Sequence, residues 1–266
     1  MAIARAKAKS LIEEYGIDDP SILVDHLEDF CFELGATIQF QPLDGAEARI
    51  VAKDGKGIIT VNANERLKER IRFSVGHELG HFFLHCKDVP EFSCSRKDMT
   101  DWFAKQRASN REMEANEFSI ELLIPEKLAK PIVDSRPPSI EVIEELARTF
   151  GMSLSATALR YPELTNEPVA VVFFSKAKGV RPPKLSRYFE QQNYWFHSGP
   201  VDKASLAFDI MEGKDYSRMT AVDASAWVEL PEWLQEEVLM EQAKYFPSYD
   251  SGFSLLWIKN GNLLRT

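Results

Sequence analysis

Cysteine is scarce in this sequence: three residues in 266, Cys31, Cys86 and Cys94. So odd and sparse a set offers no disulfide framework, and a reducing compartment is expected. Long apolar runs are missing too, since nothing approaches the ~18 apolar residues that cross a bilayer. The basic amino-terminal segment MAIARAKAKSLIEEYG lacks the apolar core and cleavage site of a secretory signal and reads as an amphipathic helix. Basic charge is in deficit, with 32 Lys and Arg against 41 Asp and Glu and a formal net charge of −9. That balance argues against a general binder of nucleic acid or of an anionic membrane. A cytoplasmic globular protein with no membrane partner is the expectation.

What is present is ordinary globular material, long enough to bury a core without staples and to form more than one domain. A first helix is expected to stop at Gly16. A second opens at Asp19-Pro20-Ser21 and runs to Gly35, with Ile22, Leu23, Leu27, Phe30, Cys31 and Leu34 at helical spacing. Three short β-rich runs follow, 37–40, 48–52 and 58–61, punctuated by Asp44-Gly45 and Asp54-Gly55 and read as a small antiparallel sheet. A helical pattern resumes at Asn64 and reaches about His85. Residues 86–107 lack a period and read as a long loop, and Ala108 to Ile124 reads as helix ending at Pro125. Ser139 and Ser153 cap two short helices. Beyond a linker at Asn166-Glu167-Pro168, strand-like runs occupy 169–175, 193–198, 225–230 and 254–259, with a helix expected from Pro231 to Ala243.

The chemistry is concentrated in Val75-Gly76-His77-Glu78-Leu79-Gly80-His81, which contains H-E-x-x-H. Positions four apart share a helix face, so His77 and His81 can offer two imidazoles to one ion. Glu78 follows the first of them and can take a proton from a metal-bound water, the catalytic role assigned to it here. Neutral imidazole suits Zn2+, the expected cofactor, though a two-histidine, one-carboxylate set also accepts Mn2+ or Fe2+. Three of the five histidines, His77, His81 and His85, fall within nine residues. His85 continues the series, but successive turns advance roughly 6 Å, so three imidazoles cannot all converge and His85 is placed behind the ligands.

A catalytic ion needs a third protein donor. Glu112 is preferred, with Glu114 the alternative, because Glu112 and Asn116 lie one turn apart on one face, where Asn116 can orient a ligating histidine. Cys86 and Cys94, eight apart with no further pair, match no common zinc spacing and read as structural thiols. Asp98 and Asp101 read as loop decoration.

Two separated segments, Arg70 to His85 and Glu112 to Pro125, resemble the ImmA/IrrE family of metallopeptidases. The match covers an Arg-x-Arg-Phe lead into the histidine motif, then E-x-x-A-N-x-F and a Leu-Leu-x-Pro ending; Ser119 and Ile124 depart from the usual Ala and Met. The resemblance implies zinc ligation by His77, His81 and Glu112, Glu78 as general base, and Asn116 behind the ligands. It implies an intracellular endopeptidase whose protein substrate is a helix-turn-helix repressor, in a stress, phage or mobile-element response. Some members carry a carboxy-terminal domain similar to GAF-type sensors.

Three domains are therefore expected. Residues 1–125 form an α+β, zincin-like metallopeptidase domain, and 126–165 a helical, helix-turn-helix-like extension. Residues 166–266 form a mixed α/β domain, GAF-like or partner-binding, with room for a small ligand. The extension carries five basic residues against six acidic ones, the wrong balance for phosphate, so direct DNA binding is not expected. The strand carrying Ile58, Thr60 and Asn62 is the candidate sheet edge for an extended substrate. The rival reading is a non-cleaving regulatory protein that binds a transcription factor or signal ligand through its carboxy-terminal domain, with a structural metal.

Overall fold

The computed structural model describes residues 2–95, 110–191, 193–214, 218–229 and 238–259. The chain divides into two compact units: Met1–Ala129 with Leu146–Leu154, and Lys130–Glu145 with Ser155–Thr266. The helices of 126–165, α6 (Glu126–Val133), α7 (Ile140–Thr149) and α8 (Leu154–Leu164), are thus divided between the two units and form no third one.

The first unit opens with α1 (Ala2–Glu14), which buries Ala4, Ala8, Leu11 and Ile12 and ends before Gly16, at φ 61°. The single helix expected from Pro20 to Leu34 is two, α2 (Pro20–Asp25) and α3 (Leu27–Glu33), because His26 leaves helical geometry between them. Apolar spacing survives that break, Leu23 and Leu27 both being buried, so periodicity could not reveal it. Strands β1 (Ala36–Gln41), β2 (Ala48–Lys53), β3 (Lys56–Asn62) and β4 (Glu91–Cys94) make one sheet in the order β1-β3-β2-β4.

This sheet is mixed, not antiparallel. Asp54 and Gly55, both at positive φ, form a tight hairpin turn that folds β3 back beside β2. The returning strand fills the slot next to β1 and runs parallel to it. Strand β3 therefore has neighbours on both sides, and Ile58, Thr60 and Asn62 are not at an edge. Ile58 is paired with Thr37 and Val51, Thr60 with Gln39 and Arg49, and Asn62 with Gln41. Among the described residues the edges are β1 and β4, and β4 lies inside the segment expected to be an unbroken loop. Residues 96–109, which include the end of that segment with Asp98 and Asp101, lie outside the described residues.

Helix α4 (Lys68–Leu84) starts later than Asn64 because the Glu65 carboxylate accepts from the backbone N–H groups of Arg66 and Leu67, closing a turn ahead of it. Arg72 anchors it, donating to the carbonyls of Val24 and Gly151. Its partner is α5 (Asn110–Leu123). The two helices meet where small residues face each other at four-residue spacing. A Cβ on Gly76 would lie 2.6 Å from Ser119 Oγ, and one on Gly80 would lie 2.8 Å from the Cα of Ala115. Only glycine at those positions lets the backbones come this close.

In the second unit, β5 (Val169–Ser175), β6 (Gly179–Val180), β7 (Lys184–Leu185), β9 (Thr220–Asp223), β11 (Val238–Phe246) and β12 (Ser251–Trp257) pair only antiparallel among the described residues. Short helices α9 (Arg187–Glu190) and α10 (Leu206–Met211) accompany it, and β8 (Trp195–Phe196) pairs with β10 (Val228–Glu229) apart from it. From Val238 the helix expected over Pro231–Ala243 is instead strand; residues 230–237 lie outside the described residues. The inward set is Leu239, Glu241 and Ala243, and the glutamate in its middle hides the alternation of a strand. Glu241 is tolerated there because its carboxylate accepts from the Leu206 and Ala207 N–H groups, Trp227 Nε1 and Ser254 Oγ.

The glycine contact is the part of the fold on which helix placement depends. Gly80→Ala pushes a methyl group into the backbone of Ala115, and such overpacking costs about 1–3 kcal/mol. Chemical denaturation is expected to show that loss, and unchanged stability would contradict the close approach.

Candidate metal centre

The α4–α5 contact sets the buried polar face of one helix against the first turns of the other. His77, Glu78 and His81 are fully buried, and the Glu112 side chain is 16% exposed. His77 Nε2 lies 3.1 Å from His81 Nε2 and 3.1 Å from Glu112 Oε2, and His81 Nε2 is 3.4 Å from the same oxygen. Four donors bonded at about 2.0–2.1 Å to a tetrahedral ion stand about 3.3–3.4 Å apart, so this triangle has the size of one face of such a shell.

The groups behind the triangle fix which nitrogens face inward. Asn116 Oδ1 is 2.9 Å from His77 Nδ1 and accepts its proton, leaving Nε2 with a lone pair. Behind His81, its Nδ1 lies 3.1 Å from His85 Nδ1, and His85 Nε2 lies 3.0 Å from Glu114 Oε2. One arrangement of protons that satisfies the chain has His81 donating to His85 and His85 donating to Glu114. Both Nε2 atoms then face each other and a carboxylate oxygen with lone pairs available, a convergence suited to a cation. The donor set fits a divalent ion of the zinc type.

Burial and charge act differently on the groups of the centre. Burial pushes the His81 pKa down and favours neutral imidazole. Burial works to raise Glu112, but hydrogen bonds and charge from His77 and His81 outweigh it and hold the carboxyl far below its usual range. Glu78 differs. Burial pushes it up to about 7, against the lowering influence of His77 and the Cys94 thiol, and neither of its oxygens has a hydrogen-bond partner of ordinary geometry. A fully buried carboxylate without ordinary hydrogen-bond partners is costly to keep, and a raised pKa is what a general base near neutral pH needs.

The structure brings together His77, His81, Glu112 and Asn116, with Glu78 on the same turn as His77 and His85 behind His81. Glu114 is engaged with His85, away from the triangle. Ile58, Thr60 and Asn62 lie on interior strand β3 and form no substrate edge. Cys94, which the sequence suggests is a structural thiol, belongs instead to the cluster: its Sγ is 3.4 Å from His81 Nε2, and its sulfur and the three other donors lie within 4.8 Å of one another. Phe92, two residues earlier on β4, stacks on His81 with ring centroids 4.2 Å apart. Neither residue was legible, because β4 alternates polar and apolar over only four residues, too few to mark a strand. The pairing of Gly76 and Gly80 with Ser119 and Ala115 did leave a signal, small residues four apart in both motifs.

A mixed α+β fold with an H-E-x-x-H helix and a carboxylate from the next helix has the donor set of the metallopeptidases. Residues 31–161 match the family model described as Peptidase_M78, IrrE N-terminal-like domain, and this segment belongs to the ImmA/IrrE family. A solved structure described as a Mycobacterium tuberculosis transcriptional regulator is similar over 98% of this chain and 77% of its own, with a TM-score of 0.58 and 14% identity. At that identity the likeness concerns the fold alone. No protein with a curated description matches the sequence. Among the described residues no helix is long and apolar enough to cross a membrane.

Groups that hold a ligating histidine in place usually matter about 10–100-fold in metal affinity. Glu114→Gln is therefore expected to weaken metal binding by roughly tenfold, read by competition with a chromophoric chelator, while leaving the fold intact. Affinity equal to that of the unaltered chain would remove Glu114 and His85 from the centre's support.

Proposed function

We propose that the protein is a zinc-dependent endopeptidase acting on a regulatory protein, a helix-turn-helix transcriptional repressor, in a stress, phage or mobile-element response. The observation that carries the peptidase reading is the buried Glu78, without ordinary hydrogen-bond partners, beside three converging donors. His77, His81 and Glu112 would hold a divalent ion, which would supply Lewis-acid polarisation of a carbonyl and an acidified water. Glu78, buried beside them and held above the usual carboxylate range by its burial, is the group placed to take up a proton and return it to a leaving amine. Asn116 and the His85–Glu114 pair hold the two imidazoles in orientation. Phe92 packs over His81 and helps exclude bulk water from it. The sheet edge nearest the donors is β4, and an extended substrate segment added along it is the binding mode this architecture favours. The repressor as substrate is supported by family membership.

The alternative, a non-cleaving protein that binds a transcription factor or signal ligand through its second unit, is favoured by one observation. Cys94 lies close enough to His81 to complete a shell of four protein donors, and closed shells of that kind are structural.

The two readings separate on Glu78→Gln. The metal-loaded chain is to be incubated with candidate repressors encoded near its own gene, fragments read by mass spectrometry, and a chelator used as control. The substitution is expected to leave metal content and folding unchanged and to lower cleavage by about 100-fold or more. Undiminished activity in that variant would favour the binding-only reading.

A further inference from the structure

Cys94 is set into the metal centre from outside the two helices that carry the other donors. It is the last residue of β4, its Cα pairs with Ala48, and its carbonyl accepts from the Glu47 N–H at 2.9 Å. The sheet thus delivers the sulfur to a fixed place, 1% exposed, whatever α4 and α5 do. An ion bonded to imidazole at about 2.0–2.1 Å and to thiolate at about 2.3 Å holds the two donors about 3.5 Å apart. The observed separation of 3.4 Å between Cys94 Sγ and His81 Nε2 matches that geometry, and the sulfur lies within 4.8 Å of the His77 and Glu112 donors.

A second, independent observation points to the same place. Glu78 is fully buried with no ordinary partner for either oxygen, and the thiol of Cys94 is the uncharged polar group that bears on it. The Cys94 sulfur thus neighbours both the His81 donor nitrogen and the base. In a hydrolytic centre that is the position of the attacking water, which must touch both the ion and the carboxylate.

We propose that the Cys94 thiolate is a fourth protein donor to the ion, filling the position a hydrolytic water must take, so that the centre is latent until the thiol is withdrawn. The inference rests on the metal-centre reading above and adds its regulation. It reconciles a closed donor shell, which a structural site has, with a buried base, which a structural site does not need. The gate is a single side chain on an edge strand, so anything that re-pairs or shifts β4 opens the centre.

Cobalt(II) tests this in the full-length chain, because thiolate ligation gives a strong near-ultraviolet sulfur-to-cobalt band that nitrogen and oxygen donors do not. The wild-type protein loaded with one equivalent of cobalt is expected to show the band. Cys94→Ala is expected to lose it while still binding cobalt, and Cys31→Ala to keep it. With zinc and the candidate repressors, Cys94→Ala is expected to cleave faster than wild type. A wild-type spectrum with bound cobalt but no such band, or a band that survives Cys94→Ala, overturns the proposal and leaves the three-donor peptidase reading standing. A band that depends on Cys94, combined with cleavage no faster in Cys94→Ala than in wild type, overturns latency. If in addition neither protein cleaves, the ligand assignment is supported and the hydrolytic reading falls. The wild-type spectrum needs no substitution, so a variant that fails to fold does not shield the idea.

Discussion

Three donor atoms directed at one point call for positive charge among them, and the first unit is arranged so that they meet. His77 Nε2, His81 Nε2 and Glu112 Oε2 stand 3.1–3.4 Å apart in a largely buried place. What holds them there is not polar at all. The helices that carry them are brought together by glycine facing serine and alanine, at Gly76 with Ser119 and at Gly80 with Ala115. Larger side chains at those positions would separate the helices by more than the reach of a coordination shell. Backbone proximity is the constraint, and donor convergence is its consequence.

Burying so many polar groups is tolerable because nearly all are satisfied. Asn116 serves His77, His85 serves His81, and Glu114 serves His85, so each ring has a defined tautomer before any ion arrives. Glu78 is the exception, and that contrast gives the site its chemistry. A fold that satisfies another buried glutamate, Glu241 in the second unit, with four donated hydrogen bonds leaves this one without ordinary partners. Positions where local rules fail are where function concentrates.

Much of the centre was legible in sequence because helical spacing is local information. His77 and His81 one turn apart, and Glu112 and Asn116 one turn apart, need only the 3.6-residue period. The strand at 169–175 was equally plain from its unbroken apolar run. What could not be read depended on pairing across the chain or on a polar residue in an apolar pattern. Strand β3 reads as an edge from sequence alone because its neighbours on both sides are set by topology, and β1 runs parallel to it for the same reason. Glu241 disguised β11, His26 broke a helix without disturbing its apolar spacing, and Cys94 joined the donors through a four-residue strand too short to announce itself.

The account stands on a single ion bound by residues of two helices. Anomalous diffraction at the zinc absorption edge, from crystals of the zinc-loaded full-length chain, tests it most directly. The expected map has one strong peak within bonding distance of His77 Nε2, His81 Nε2 and a Glu112 oxygen. A peak bonded to Glu114 instead of Glu112, or zinc bound only away from the paired imidazoles, would contradict it.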